Sequence, residues 1–224
     1  EVGAHPESIA ALYRKLKHIE RYPFFTPDPV PSVTQTIIEY LDKNKTIIFE
    51  FGNFTSTFCY LLVANIITRR IHSSYIQKTE QFLGSKKAEL EPSKLMIVIE
   101  EAHKFLNPSA ASQTIFGTIA REMRKYYVSL FIIDQRPSGI DPEILSQVGT
   151  KVIAQLSDEK DVQAVLSGSA QASTLKTVLN SLDTKKQALV LGHAVRMPIV
   201  IETRTYDQKF YKAMQIDIPE SIES

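Results

Sequence analysis

Two apolar runs in this 224-residue chain end in polar groups whose order matters. Leu95-Met96-Ile97-Val98-Ile99 leads into Glu100-Glu101-Ala102-His103, and Leu130-Phe131-Ile132-Ile133 leads into Asp134-Gln135-Arg136-Pro137-Ser138. A strand that ends in two adjacent carboxylates can hold a hard cation or its waters with the first. With the second it can orient and deprotonate a water for attack on a γ-phosphate. A second strand ending in an amide supplies a group that senses that phosphate. The other half of such a site is absent from the sequence: none of the eight glycines opens a G-x-x-x-x-G-K-S/T phosphate cradle, and Gly84-Ser85-Lys86-Lys87 has the wrong spacing. The expectation is half of an ATPase site, using ATP and Mg²⁺, on a chain that does not hold ATP alone.

The elements that must position these groups alternate between strand and helix. Residues 8 to 20 carry Ile9, Leu12, Leu16 and Ile19 at helical spacing, and a proline-punctuated connector follows from Tyr22 to Pro29. Val33 to Leu41 reads as a short helix, Lys45 to Phe51 as a strand, and Ser56 to His72 as an apolar helix. The polar stretch Ser73 to Ser93 reads as a continuation of that helix and then a mobile loop. After the carboxylate strand, His103 to Pro108 is expected as a loop, 112 to 126 as a helix, Val128 to Ile133 as a strand, and Asp141 to Val148 as a short helix. A strand at Lys151 to Leu156, helices at 158 to 166 and 171 to 181, and strands at Gln187 to Leu191 and Pro198 to Glu202 complete the pattern. The last two strands suit a hairpin around Gly192-His193. Apolar strands separated by helices predict an α/β fold with a mainly parallel sheet covered on both faces. Ligands bind such sheets beyond the carboxyl ends of the strands, where Glu100, Glu101 and Gln135 fall. The expected domains are a helical cap or inserted segment over 1–30, an α/β core over 31–206 and a tail over 207–224.

Composition narrows the function classes. Hydrophobic residues make up 43%, enough for one substantial core. Lys and Arg total 26 against 25 Asp and Glu, a net charge of +1, so any nucleic-acid contact must be local. A single cysteine, Cys59, excludes an internal disulfide framework and a cysteine-based zinc site, which fits a reducing compartment. No apolar run reaches the about 18 residues of a membrane span, and Glu1-Val2-Gly3 begins no signal peptide, so the expectation is a soluble, cytoplasmic chain with no membrane partner. A first residue that is not Met suggests a piece of something longer.

Taken alone, Ile-Glu-Glu-Ala-His is weak, because acidic pairs after strands commonly favour the N-terminal end of a helix dipole. Its neighbours change the reading. Ile119-Ala120-Arg121-Glu122-Met123-Arg124-Lys125-Tyr126 lies between the two runs, and Ile140-Asp141-Pro142-Glu143-Ile144-Leu145-Ser146-Gln147 follows the second. In this order the segments resemble the HerA-like branch of the HerA/FtsK ring ATPases. Members carry I-[D/E]-E-A-H as the Walker B segment, a helix close to I-A-R-E-G-R-K-Y-G, and S-Q-R-P-S before I-D-P-x-V/I-L-S-Q. The likeness runs from roughly residue 45 to 206 and is specific between 95 and 156.

The resemblance implies a RecA-like P-loop NTPase core that is N-terminally incomplete, the C-terminal part of a longer motor. It implies that Glu100 helps hold Mg²⁺, that Glu101 is the catalytic base and that Gln135 is the γ-phosphate sensor. Arg124 becomes the candidate arginine finger, with Arg121 at i−3 on the same face as the alternative; a solvated helical face is the plainer reading of both. Arg136 either contacts nucleotide phosphate or pairs with Glu101 in the empty state. The implied whole is a homo-hexameric helicase and translocase that moves double-stranded DNA in end repair, with a partner nuclease. A type IV secretion or conjugation ATPase of the same superfamily is one alternative, and a catalytically silent interaction module without the phosphate loop is another. Met123 and Tyr127 replace glycines usual in the family, a change expected to shift the end of the arginine helix by a turn. Glu100 stands where Asp is commoner.

Other residues have plainer readings. His103 either orients Glu101 or bonds to backbone. His5, His18, His72 and His193 are scattered, with no zinc spacing. Cys59 reads as packing within an apolar helix, and Ser167-Gly168-Ser169 as a turn. Arg69, Arg70, Lys78, Lys86 and Lys87 either line a DNA channel or form a solvated face.

Overall fold

The computed structural model describes residues 5–22, 33–53, 56–169 and 171–216, without the side chains of residues 18, 113, 123 and 124. The proline-punctuated connector lies almost wholly outside the described residues, as does the end of the tail. The chain divides into two units, 1–50 and 51–224.

The first unit contains helix α1 (Pro6–Ile19) and helix α2 (Val33–Asp42). Pro6 opens α1 where its missing N–H costs nothing, and Glu7 in the first turn suits the helix dipole. The expected strand over residues 45 to 51 does not form, and Ile48 is 82% exposed. An apolar run becomes a strand only where a neighbouring strand takes up its N–H and C=O groups, and the ladders of this structure run between other segments.

The second unit begins with α3 (Thr57–Ser85), capped by the Ser56 hydroxyl accepting from the Cys59 N–H and closed by Lys86 in the left-handed conformation. It carries the expected continuation from Ser73 as far as Ser85, and the rest of that stretch holds only a 3₁₀ turn at Ala88–Leu90. Cys59, Thr68, Ile71, Tyr75 and Thr79 are buried along it. Strand β1 (Leu95–Glu100) follows, then two short helices in place of the expected loop, α4 (His103–Leu106) and α5 (Pro108–Gln113). Asn107 makes that region helical by capping α5 through its side-chain oxygen on the Ala110 N–H, with Pro108 in the first turn. Helix α6 (Ile115–Glu122) tightens into a 3₁₀ turn over Met123–Tyr126 and feeds β2 (Val128–Ile133). The order then runs α7 (Pro142–Gln147), β3 (Thr150–Ile153), α8 (Glu159–Leu166), α9 (Ala172–Ser181), β4 (Gln187–Gly192), β5 (Ile199–Glu202) and α10 (Gln208–Met214). Aspartates 141, 158 and 207 cap α7, α8 and α10.

The architecture is α/β with a parallel sheet, as expected. The parallel ladder joins β1 and β2, in register from Leu95 opposite Val128 to Glu100 opposite Ile133. Strands β3, β4 and β5 form a separate antiparallel sheet in that order, and its last two strands are the anticipated hairpin. Two helices separate β3 from β4, so the chain reverses once more than in a single-helix crossover and β4 returns antiparallel. Ile153, Val162, Leu179 and Leu189 belong to the core that α8 and α9 build on this sheet.

The expected cover on both faces of the parallel pair is corrected by the structure. Alternation buries Ile99 and Val128 on one face, whereas Met96, Val98, Phe131 and Ile133 on the other are 42 to 59% exposed. Among the described residues no helix is long and apolar enough to cross a membrane.

Candidate functional site

The chemistry-bearing residues gather where β1 and β2 end. Register alone brings them together: Glu100 lies opposite Ile133, so 101–103 and 134–136 leave the sheet side by side. Glu101 turns the chain sharply at φ +50°, a left-handed conformation that costs a non-glycine residue about 1 to 2 kcal/mol. The turn lets the Ala102 N–H reach the Ile133 carbonyl at 3.3 Å and starts α4 beneath it. Strain of this kind persists only where surrounding bonds impose it.

Asp134 imposes it. Its side chain is 3% exposed, and Oδ2 accepts the His103 backbone N–H at 2.7 Å and the His103 imidazole Nδ1–H at 2.8 Å. Oδ1 accepts the Arg136 N–H. Burial pushes the Asp134 carboxyl up, but the hydrogen bonds from His103 and Arg136 outweigh it and hold the group below the usual carboxylate range. An ionised acceptor fixes the histidine hydrogen on Nδ1 and leaves Nε2 facing Glu101, 3.9 Å from Oε2. Lys104 Nζ is 3.6 Å from the same oxygen.

The histidine is held on its other sides as well. The Asn107 amide donates to its carbonyl at 3.1 Å. A Cβ at Gly139 would come within 3.1 Å of the His103 Cβ, so the loop after β2 packs against it as closely as a glycine permits. Ser138 N–H donates to the buried Asp161 on α8 at 2.9 Å, and Asp141 N–H to the Leu106 carbonyl at 2.7 Å. The ends of β1 and β2 are thus one hydrogen-bonded unit.

Of the residues singled out in sequence, the structure brings together Glu100, Glu101, His103, Gln135 and Arg136. Glu100 and Gln135 are exposed at the strand ends. Arg136 is exposed and forms no ion pair with Glu101, whose carboxylate has His103 and Lys104 beside it. Arg121 sits apart on α6, paired with Glu143 of α7 at 3.3 Å. The Arg124 side chain lies outside the described residues. Cys59 is fully buried with its thiol pushed up by burial, as packing predicts. Arg69, Arg70 and Lys78 lie on α3, with Lys86 and Lys87 at its end. Sequence reasoning missed Asp134, Asn107, Gly139 and Asp161. The position of Asp134, first after an apolar strand and beside Gln135, was the available signal.

A cleft of about 650 Å³ opens next to Gln135, lined by residues 128–132 of β2, by Gly149 and by residues 150–153 of β3. Consecutive residues of both strands line it, so it is bounded by strand edges and not by faces, whose side chains alternate. Strands β2 and β3 share no ladder across it.

The Glu100 donor set suits Mg²⁺, which keeps most of its waters and takes one or two carboxylates together with substrate phosphates. No group of three or more acidic, histidine or cysteine side chains forms an all-protein cage among the described residues.

No family model matches the chain. Its sequence is similar to the DNA double-strand break repair helicase HerA of Sulfurisphaera tokodaii, 39% identical over 118 residues, covering 51% of this chain and 24% of that protein. The same-named helicase of Saccharolobus solfataricus is 31% identical over 176 residues, 77% of this chain and 34% of its own length. That of Pyrococcus furiosus is 32% identical over 123 residues, 53% of this chain and 22% of the relative. The chain therefore spans between a fifth and about a third of the curated relatives it matches. Among solved structures, the genome packaging NTPase of Sulfolobus turreted icosahedral virus 2 in complex with AMPPCP is similar at TM-score 0.40 and 13% identity, covering 49% of this chain and 52% of that one. By its sequence relationships, the chain is HerA-like.

Proposed function

We propose that this chain supplies the hydrolytic half of the ATP site in a HerA-like DNA-translocating ATPase. The observation that carries the reading is the convergence of Glu100, Glu101 and Gln135 at the carboxyl ends of two parallel strands locked together through Asp134. Glu101 is the base that orients and deprotonates the attacking water, and Gln135 senses the γ-phosphate. Glu100 holds Mg²⁺, which when bound neutralises charge on the β- and γ-phosphates. Arg136 reaches phosphate. Arg124 acts in a neighbouring subunit's site as the arginine finger, worth about 10³ to 10⁵ in rate in other nucleotide hydrolases; Arg121, occupied by Glu143, is the alternative.

The phosphate cradle comes from residues outside this sequence. The cleft between β2 and β3 supports this, because a strand entering it parallel to β2 would find unladdered edges on both sides. Its C-terminal loop would emerge beside Gln135. The whole protein is then a homo-hexamer that draws double-stranded DNA through a pore and works with a nuclease at DNA ends in the cytoplasm. The basic residues along α3 offer a local, salt-sensitive DNA contact.

The test is Glu101→Gln in the full-length protein. ATP binding should stay within about threefold while hydrolysis falls by about 10³ or more, as expected when an interaction made only in the transition state is removed. Undiminished turnover refutes the role of Glu101.

A further inference from the structure

We propose that Asp134, acting through His103, is the positioning residue that aims Glu101 at its water. This rests on Glu101 being the base. Asp134 bonds to His103 and to the Arg136 backbone, not to Glu101. It grips His103 at two atoms, the backbone N–H and Nδ1, both on one carboxylate oxygen. A two-point grip fixes the position of the ring and also its rotation, and the ring then presents Nε2 to Glu101 Oε2 at 3.9 Å.

That separation is too long for a direct hydrogen bond and right for a limit on where the carboxylate can swing. The Glu101 side chain is otherwise 48% exposed, with the flexible Lys104 amine near the same oxygen. The other carboxylate oxygen of Asp134 takes the Arg136 N–H and so sets the chain beyond Gln135. One buried carboxylate thereby fixes the base and the sensor relative to each other. Gly139 closes the arrangement, because a Cβ there would come within 3.1 Å of the His103 Cβ and press on the residue that Asp134 holds.

The experiment compares Asp134→Asn, His103→Gln and the double variant in the full-length protein, with Glu101→Gln alongside. Each single variant should lower kcat for ATP hydrolysis about 10- to 100-fold, the usual effect of losing a group that orients a reacting one. KM should change less than threefold. The double variant should be no slower than the slower single one, because both changes cut the same linkage. Asp134→Asn in a chain that already carries His103→Gln isolates the imidazole linkage: a positioning role exercised through the ring adds no further loss of kcat there and lowers only the stability carried by the backbone N–H bonds from 103 and 136, whereas a merely structural role would lower thermal stability and kcat again. Wild-type kcat in both single variants, or multiplicative losses in the double, overturns the proposal. If Asp134→Asn does not fold, His103→Gln carries the test, since Asp134 keeps its two backbone donors and the histidine is 27% exposed. Loss in Glu101→Gln with normal turnover in the other variants sinks this inference alone. Normal turnover in Glu101→Gln sinks the reading beneath it.

Discussion

Replacing Gly117 by alanine sets two known effects against each other, and the structure decides the sign. Gly117 lies inside α6, where glycine to alanine ordinarily gains about 1 kcal/mol. A Cβ there would come within 2.7 Å of the Ala111 carbonyl oxygen of α5. Carbon–oxygen contacts settle at about 3.3 to 3.6 Å, so one helix must retreat by about 0.6 Å or more. Neither retreats freely. Phe116 and Ile119, on either side of Gly117 in α6, are 2% and 1% exposed, and overpacking of such a site costs about 1 to 3 kcal/mol. The expected net result is a loss of about 1 kcal/mol, or about 2 to 4 °C in Tm for a chain of this size. Gly117→Val, with a bulkier Cβ and no comparable propensity gain, should lose more. Urea unfolding followed by far-UV circular dichroism measures both. The backbone that must give way belongs to α5, whose cap Asn107 also holds the His103 carbonyl, so ATP hydrolysis in the full-length protein should fall with stability. A Gly117→Ala protein that is more stable by about 1 kcal/mol would refute the close approach and the coupling drawn from it.

Asp134 predicts an acid limb. Its folded-state pKa is depressed, so its contribution is complete above the unfolded value of about 3.9 and disappears as pH falls through the lower folded value. The stability gap between wild type and Asp134→Asn, read from urea midpoints, should shrink below about pH 4 and hold steady from there to neutrality; a gap independent of pH would contradict an ionised, hydrogen-bonded Asp134. Leu179 is fully buried under the antiparallel sheet, so Leu179→Ala should cost about 3 kcal/mol in the same assay. Subunits carrying Arg124→Ala mixed with subunits carrying Glu101→Gln should recover hydrolysis that neither shows alone if Arg124 acts across an interface; absence of recovery would place the finger elsewhere.

The strands of the site were legible because they are short, β-branched runs that stop at polar residues. Val128 to Ile133 has the same limits in sequence and structure, and β1 ends at Glu100 as its composition implies. The run at 45 to 51 is similar in composition and forms no strand, because a strand is a property of a pair and its own residues do not specify the partner. The parallel expectation for β3 and β4 met the same limit. Both helices between them were readable, but the consequence of having two, a reversal of direction, follows only from how they pack.

The site itself divides along the same line. Glu100, Glu101 and Gln135 could be picked out because their residue types suit the chemistry at the ends of recognisable strands. The position of Asp134 at a strand end was a signal, but its grip on His103 and the left-handed turn at Glu101 were not readable, since they arise from the register that sets 101–103 against 134–136. The 3₁₀ turn after α6 shows the converse. Tyr127 stands where the resembling family has glycine, a change expected to move the end of the arginine helix. The α-helical part ends at Glu122, the 3₁₀ turn carries the chain to Tyr126, and Tyr127 itself adopts φ +63°, the conformation a glycine would favour. Its ring meets Phe82 of α3 edge-on at 6.3 Å, and its N-terminal neighbour Tyr126 meets His72 at 6.1 Å. Ring packing against α3 thus accompanies a left-handed residue at the position where the resembling pattern has glycine.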